Sequence, residues 1–341
     1  MQSALASSAS CNPHHCHTVR PDRFDLNLLL VLDALLEQRN VTRASLRVHI
    51  GQSAASAALS RVREFFGDEL LVPVGRQLML TPLAQDLVEP VRDALLQARA
   101  ALTRRPGFDS TTAQRRFAVC ASDHVTTVML AAAVRRLAHQ APGVALNIRN
   151  PPAGVLEVFE RGDIGLLVLP EQYASRLKHP QLALFQDTQV CMVCAGHTGM
   201  GDTLSMEAYM AVGHVAVRFG DERSVALEEW LLPRYGQQRR IESSVNNFAT
   251  LPSLVIGTNR IATLHRRLAQ HFANYLPLWV IAAPFEMPPL VETMVWPRHL
   301  GDDPAHAWLK RLLQDCAAGL DIAAVGYNGD PSTVSACGSG V

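Results

Sequence analysis

"GQSAASAALSRVREFFGDELLVPVGRQLMLTP", residues 51–82, contains a helical pattern followed by a hairpin pattern, and together they decide the fold of the first domain. The helix is predicted to begin at Gln52 or Ser53, and its apolar side chains recur at the spacing of one face: Ala55, Leu59, Val62 and Phe66. The opposite face consists of short polar, alanine and arginine side chains: Gln52, Ser53, Ser56, Ala57, Ser60 and Arg63. Two short apolar runs around Gly75 and Arg76 predict a β-hairpin with those residues at its tip.

Further helices flank this stretch on both sides. Leucines recur at helical spacing after Asp25, which can cap the first turn, and this pattern ends near Asn40. Thr42 is expected to cap a short second helix. Thr81 followed by Pro82 is a typical helix start, and it predicts a long helix to residue 104. That helix has a nearly heptad apolar seam: Leu83, Leu87, Val91, Ala94, Ala98 and Ala101.

The charges are balanced overall but not locally. The 341 residues have a formal net charge of zero and are 48% hydrophobic, which indicates two or three domains and excludes a protein that coats polyanions with its whole surface. From Gln38 to Arg63 there is no Asp or Glu, and the basic residues are Arg39, Arg43, Arg47, His49, Arg61 and Arg63. A nucleic-acid contact is therefore expected in this segment.

Beyond a linker at residues 103–116, apolar strands alternate with helices. The first cycle predicts elements at Phe117–Ala121, Val125–Gln140, Val144–Ile148, Gly154–Arg161 and Ile164–Leu169. A similar cycle predicts elements at Gln189–Ala195, Val215–Phe219 and Ser224–Leu232, and it returns in "NRIATL" and "LWVIAAP". Alternation at this spacing favours parallel βαβ units, arranged in two α/β lobes with a cleft between them.

Several segments carry a family resemblance. "DLNLLLVLDALLEQRNVTRAS", "GQSAASAALSRVREFFGDELLVPVGR" and "LTP", within residues 24–104, resemble the winged helix-turn-helix and linker helix of LysR-type transcriptional regulators. "SDHVTTVML", "RGDIGLLVLPEQY" and "FGDERSVALEEWL" resemble the effector-binding domain of that family, and are most similar to its nodulation-regulator branch and to relatives that respond to aromatic compounds.

The resemblance implies an α + α/β architecture. It places a winged helix-turn-helix DNA-binding domain at 22–81, a linker and dimerisation helix at 82–104, and a two-lobed, periplasmic-binding-protein-like α/β effector domain at 115–320. The small, polar ends at 1–21 and 325–341 are expected to be disordered tails. The implied partners are double-stranded promoter DNA, a second copy in a homodimer or homotetramer through the 82–104 helix, a small-molecule inducer, and RNA polymerase as a further candidate.

A helix that enters a major groove about 12 Å wide needs small side chains on the approaching face. Gln52 can present its amide to adenine, while arginines can neutralise phosphates, and Arg76 has the adjacent minor groove as an alternative. The expected DNA contacts are Arg43, Gln52, Ser53, Ala54, Ser56, Ala57, Ser60, Arg61, Arg63 and Arg76. The family usually has Ser-Gln-Pro-Ala where this chain has residues 51–54, Gly-Gln-Ser-Ala, and Ser53 is expected to cap the helix instead.

In two-lobed α/β folds, ligands bind where strand ends meet helix N-termini. The first strand of this region turns into its helix at Ser122, Asp123, His124 and Thr126, and by resemblance the other lobe supplies Phe219, Arg223, Ser224, Asn247 and Thr258. Such a pocket suits an aromatic acid or a phenol. Local roles compete with ligand contact: Ser122 or Asn247 as a helix cap, Asp123 and His124 as a pair, and Arg223 as a solvated residue.

Other functions are weighed against this one. An Ala/Ser-rich helix also packs inside helical bundles, and the α/β region alone fits a small-molecule-binding or metal-dependent enzyme with an accessory helical domain. "CNPHHCH" at 11–17 has metal-ligand residue types without a second ligand pair, and "CMVC" at 191–194 has redox spacing in an apolar strand. Since no catalytic motif is found, we predict no catalytic residue, metal or cofactor.

The compartment is predicted from what the sequence lacks. No secretory signal or membrane-spanning run is found, and the seven cysteines are an odd number spread along the chain. Free thiols in a cytoplasmic protein are therefore expected.

Overall fold

The structure, a computed structural model, describes residues 24–75, 77–103, 107–197, 203–218, 233–236 and 238–324. The chain divides into two compact units, Met1–Thr103 and Arg104–Val341. The predicted tails at 1–21 and 325–341 lie outside the described residues.

The first unit packs short helices and a hairpin around one aliphatic core. Its elements are α1 (Asn27–Gln38), α2 (Val41–Arg47), α3 (Gln52–Phe66), β1 (Leu71–Val74), β2 (Gln77–Leu80) and α4 (Pro82–Thr103). The predicted stripe of α3 is confirmed, because Ala55, Leu59 and Val62 are buried and Phe66 packs against the same core. Strands β1 and β2 pair antiparallel, which confirms the hairpin.

Two predicted helix caps are wrong. Asn40 caps α2, since its Oδ1 accepts the Arg43 N–H at 2.9 Å, whereas Thr42 lies inside the helix. The extended backbone of Asn40 directs its side chain at the first turn, as capping requires. Gly51 is the N-terminal cap residue of α3 and no side chain caps that helix, so Ser53 does not act as a cap.

Helix α4 begins as predicted, with Thr81 as its cap. The Thr81 Oγ1 accepts the Ala84 N–H at 3.2 Å and donates to Asp68 Oδ1 at 2.6 Å, which ties the helix start to the turn after α3. Ala84 and Val91 belong to the core of the unit. Further along, three members of the predicted seam are exposed within this unit: Ala94, Ala98 and Ala101.

The second unit contains two five-stranded sheets, which define lobe I (order β4-β3-β5-β12-β6) and lobe II (order β11-β7-β10-β8-β9). Its elements are β3 (Arg115–Cys120), α5 (Asp123–Val125), a π-helical turn (Thr126–Leu130), α6 (Ala131–Gln140), β4 (Val144–Arg149), α7 (Val155–Glu160), β5 (Leu166–Pro170), α8 (Glu171–Ala174), β6 (Gln181–Asp187), β7 (Gln189–Cys194), α9 (Met206–Ala211), β8 (Gly213–Val217), β9 (Arg240–Val245), α10 (Leu251–Val255), β10 (Ile261–His265), α11 (Arg266–Ala273), β11 (Leu278–Ala282), β12 (Leu290–Val295), a 3-10 turn (Arg298–Leu300) and α12 (Pro304–Ala324).

Both sheets are mixed, so the expectation of parallel βαβ units holds for only part of each. Strand β3 pairs parallel with β4 and β5, and β8 pairs parallel with β9 and β10. Strand β12 is antiparallel to β5 and β6, and β7 is antiparallel to β10 and β11. The antiparallel strands follow from the chain crossing between lobes twice, once after β6 and once before β12.

The corrected cap of α2 can be tested by a matched pair of substitutions. Replacing Asn40 by Ala removes an acceptor for an otherwise unpaired helix N–H, so we expect the free energy of unfolding of the first unit to fall by about 1 kcal/mol. Thr42→Ala, in the same helix, should change it by less than about half of that amount. Urea denaturation of the full chain would measure both, and a larger loss for Thr42→Ala would contradict the assignment of the cap.

Candidate DNA-binding surface and effector site

The exposed face of α3 carries no acidic side chain between Gln52 and Arg61. Its exposed members are Gln52, Ser53, Ala54, Ser56, Ala57, Ser60 and Arg61. Most of these side chains are short, and the Ser60 hydroxyl donates back to the Ser56 carbonyl at 3.2 Å. The backbone of the helix is therefore accessible to a partner surface at close range.

Three of the five arginines expected to form a positive patch are paired with acids that lie outside that segment of sequence. The pairs are Arg47 with Glu37 and Asp33, Arg61 with Asp25, and Arg63 with Glu69. Arg39 and Arg43 have no ion-pair partner in the part of the chain that the structure describes. The patch is therefore less positive in space than the sequence alone indicates.

The pairing of Arg61 is weak enough to be exchanged. Arg61 and Asp25 are 3.0 Å apart, and their side chains are 57% and 36% exposed. Solvent-exposed pairs of this kind contribute little to stability, because water screens the charges. A phosphate group that approaches α3 can therefore replace Asp25 as the partner of Arg61 at little cost.

Arg63, in contrast, is used within the fold. Its Nε donates to the Glu69 carbonyl at 2.7 Å, and its Nη2 donates to the Leu71 carbonyl at 2.9 Å. These bonds hold the turn between α3 and the hairpin, where the buried Leu70 has a φ of 57°. Since leucine rarely adopts this left-handed conformation, the turn needs support. This geometry favours a structural role for Arg63, in which it positions the hairpin, rather than the expected contact with phosphate.

The predicted effector-binding turn of the second unit lies between β3 and α5. Ser122 Oγ accepts the Val125 N–H at 3.3 Å, so this side chain is a helix cap. Asp123 Oδ2 accepts the Ala249 N–H of lobe II at 2.7 Å. Asp123 Oδ1 and Thr126 Oγ1 are buried and have no hydrogen-bond partner among the described residues. The turn therefore contacts both lobes and keeps two acceptor atoms unused.

His124 is fully buried and does not pair with its neighbour Asp123, which corrects the expected local pair. Its Nε2 lies 3.1 Å from Asp187 Oδ2, and its Nδ1 lies 3.6 Å from Glu292 Oε1. Burial lowers the pKa of His124, but the contacts with Asp187 and Glu292 and their negative charges outweigh it and raise the pKa. This packing leaves His124 no surface for an effector.

Two residues expected from lobe II are engaged locally. Asn247 Oδ1 accepts from the Thr250 N–H at 2.9 Å and from the Thr250 hydroxyl at 2.7 Å, within the turn before α10, whose N-terminal cap residue is Thr250. Thr258 Oγ1 donates to the Val255 carbonyl at 2.8 Å. The other expected contacts lie outside the described residues: Phe219, Arg223 and Ser224 of lobe II, and Arg76 of the hairpin.

The sequence did not indicate several contacts that define these sites. His124 is surrounded by three residues from distant parts of the sequence: Asp187, Glu292 and His265. Even the nearest of them in sequence, Asp187, is 63 residues from His124. Ala249 contributes only its backbone N–H, which no side-chain pattern reveals. A single sequence gives no signal for such long-range contacts.

The competing chemistries find no support in the described part of the chain. Cys191 is fully buried and burial raises the pKa of its thiol to about 12, so it is unsuited to thiol exchange. "CNPHHCH" lies outside the described residues. Within the described ranges, no group of three or more His, Cys, Asp or Glu side chains is arranged to hold a metal ion, and no helix has the length and apolar character needed to cross a membrane.

Known families and proteins match both units. Residues 26–85 match the family described as bacterial regulatory helix-turn-helix protein, lysR family, and residues 110–318 match the LysR substrate binding domain. Nodulation protein D 2 of Rhizobium tropici is 42% identical over 289 residues, which cover 85% of this chain and 91% of the relative. Nodulation protein D of Bradyrhizobium sp. (strain ANU 289) is 39% identical, with 87% of each chain covered.

A solved structure agrees with these matches. The crystal structure of a probable transcriptional regulator from Pseudomonas aeruginosa is 30% identical, with a TM-score of 0.57 over 86% of this chain and 97% of that one. The substrate-domain match alone spans more than half of the sequence. The protein therefore belongs to the LysR family of bacterial transcriptional regulators, with an N-terminal helix-turn-helix DNA-binding domain and a two-lobed α/β effector-binding domain.

Proposed function

We propose that α3 is the recognition helix and lies in the major groove of promoter DNA, with its exposed face toward the base edges. The acid-free, short-side-chain surface from Gln52 to Arg61 is the observation that supports this placement. Acidic groups there would be repelled by phosphates, and long side chains would hold the helix away from bases in a groove about 12 Å wide.

The proposed contacts divide into base reading and positioning. Gln52, exposed in the first turn of α3, offers both a donor and an acceptor to adenine. Arg43 and Arg61 neutralise phosphates and set the register, because the first has no ion-pair partner among the described residues and the second has only a weak one. The remaining contacts are the small side chains Ser53, Ala54, Ser56, Ala57 and Ser60, and Arg76 at the hairpin tip.

A second copy of the chain is part of the proposal. One recognition helix covers a half-site, so a symmetric dimer is needed to read a full operator. The 82–104 helix is the proposed surface for it, because the later part of its seam is exposed and Leu102 is 88% exposed. Pairs of dimers would form a homotetramer, and RNA polymerase is a further proposed partner in the cytoplasm.

For the second unit we propose a phenolic, aromatic effector bound at the turn between β3 and α5. The buried, unpartnered Asp123 Oδ1 and Thr126 Oγ1 support this ligand class, because an acceptor carboxylate is best satisfied by a hydroxyl donor. A benzoate would bring a second negative charge beside Asp123. Since Asp123 also accepts the Ala249 N–H of lobe II, a ligand at this carboxylate would affect contact between the lobes.

The base-reading role of Gln52 is tested by its alanine variant. Gln52→Ala should lower discrimination between the operator and a single-base variant of it by about 1–3 kcal/mol, while binding to random DNA changes little. Gel-shift titrations of the full chain on the duplex upstream of its own gene would measure this, with Gln140→Ala on the exposed face of α6 as the control. Equal loss on specific and random DNA would contradict base reading.

The salt dependence of DNA binding distinguishes an arginine that contacts phosphate from one that only stabilises the fold. Arg43→Ala should weaken binding to all duplexes and reduce the slope of log affinity against log salt by about one unit or less. Arg135→Ala, an exposed arginine of the second unit, is the matched control.

Arg63→Ala should instead lower the unfolding free energy of the first unit by about 1–3 kcal/mol, since two carbonyls lose a charged donor. Weakened DNA binding should follow without a change in salt slope, and Arg63→Lys should not restore stability because one ammonium cannot replace the planar fork. A reduced slope with unchanged stability would identify Arg63 as a phosphate contact.

The effector class is tested by calorimetry of the full chain with phenols, flavonoids and benzoates. Asp123→Asn keeps an acceptor for the Ala249 N–H but replaces the free acceptor by a donor, so phenol binding should weaken about 10- to 100-fold. Asp302→Asn, at an exposed acid of the same unit, should have no effect. Binding of benzoates but not phenols, or unchanged phenol affinity in Asp123→Asn, would contradict the proposed ligand.

A further inference from the structure

Four buried ionisable side chains meet where the chain crosses between the lobes. Asp187 ends β6 of lobe I and is followed, after Thr188, by β7 of lobe II. Glu292 lies in β12, the strand formed when the chain returns to lobe I, and His265 ends β10 of lobe II. With His124 of lobe I, these side chains are 0–8% exposed. We refer to His124, Asp187, Glu292 and His265 as the crossover cluster.

The cluster joins the lobes through both stacking and hydrogen bonds. The rings of His124 and His265 stack with centroids 4.1 Å apart and an angle of 28° between their planes. The Arg267 N–H donates to Asp187 Oδ2 at 3.3 Å, and the Arg266 N–H donates to the Thr188 carbonyl at 2.8 Å. The N-terminus of α11 in lobe II is thereby bonded to the last residues of lobe I.

One proton determines the charge balance of the cluster. A charged imidazolium carries a proton on both nitrogens, so Nε2 can donate to Asp187 while Nδ1, 3.6 Å from Glu292 Oε1 and without a hydrogen-bond partner among the described residues, attracts that side chain by charge. A neutral ring carries a proton on only one of the two nitrogens. The other ring stays neutral, because burial and the charge of His124 lower the pKa of His265 well below its usual value. Loss of the His124 proton would remove the positive charge that faces the buried Asp187 and Glu292 side chains, which is costly.

Within the described ranges, the charged side chains beside the cluster are directed to other groups. The Arg266 Nε donates to Thr188 Oγ1 at 3.1 Å, and the Arg267 Nη1 donates to the Leu320 carbonyl at 2.8 Å. Asp123, adjacent to His124, is bonded to the Ala249 N–H instead. The aromatic neighbours of His124 are Phe185 and Phe248, which carry no charge.

We propose that the crossover cluster is a proton-dependent latch between the lobes, in which protonated His124 holds Asp187 and Glu292 together against His265. The pKa of His124 is raised in the folded chain. The stabilisation is therefore complete below the pKa of an unfolded histidine and is lost as pH rises through the raised pKa. The latch therefore loosens when the pH rises above the raised pKa of His124, and it stays closed at lower pH.

Hydrogen exchange of the full chain across a pH series tests the latch without any effector. After correction for intrinsic exchange, protection at 187–189 and 265–267 should fall as pH rises, by up to tenfold for each unit by which the pKa is raised. Strands β3 and β4 are the internal reference. His124→Phe keeps a ring of similar shape but cannot carry the proton, so protection at these residues should already be low at pH values at which the natural chain is still protected. His139→Gln, at an exposed histidine of α6, should leave the profile unchanged.

Glu292→Gln provides a second test if His124→Phe does not fold. It removes one of the two charges that favour the imidazolium, so the loss of protection should begin at lower pH than in the natural chain. A flat profile in the natural chain, or the same profile in every variant, would overturn the proposal. Neither result bears on whether a phenol binds at Asp123, so the latch and the effector site fail independently.

Discussion

The exposed, short-side-chain face of α3 depends on burial of the apolar face on the opposite side of the same helix. Ala55 and Val62 are 0% exposed, so a small residue and a branched one fill the interior while the outward positions contribute nothing to packing. Burial of a side chain such as that of Val62 contributes about 1.5–3 kcal/mol. Because the inner face supplies the stability, the outer face is free to carry the short side chains that DNA contact requires.

The same separation of roles applies to the arginines. Arg63 is committed to backbone carbonyls in the turn before the hairpin, whereas Arg43 and Arg61 keep guanidinium groups that a phosphate can reach. In the second unit, the side chains of the turn from Ser122 to Thr126 also differ in role. Ser122 caps a helix, His124 belongs to the crossover cluster, and Asp123 and Thr126 keep unused acceptor atoms. Residues adjacent in sequence therefore have different roles: Ser122 stabilises a helix start, His124 and Asp123 contact lobe II, and Asp123 and Thr126 are the proposed ligand contacts.

Periodicity was sufficient to predict the first unit, including the hairpin and the long helix, because its contacts are local. It failed for helix caps, where backbone conformation decides: Asn40 is extended and Thr42 is helical. It also failed for β6, β9 and β12. The pairing of β6 with β12 depends on the two crossings of the chain between the lobes. Charge was misjudged because Asp25 and Glu69, which lie outside the basic segment, neutralise two of its arginines. The sequence therefore failed where backbone conformation or pairing in the folded chain decides.

The central claim is that α3 reads specific bases in DNA. Its most direct measurement is the affinity of the full chain for the duplex upstream of its own gene, compared with a scrambled duplex of equal length and composition at the same salt concentration. We expect tighter binding to the natural duplex by a factor of about 1,000 or more. Equal affinity for the two duplexes at every salt concentration would contradict it.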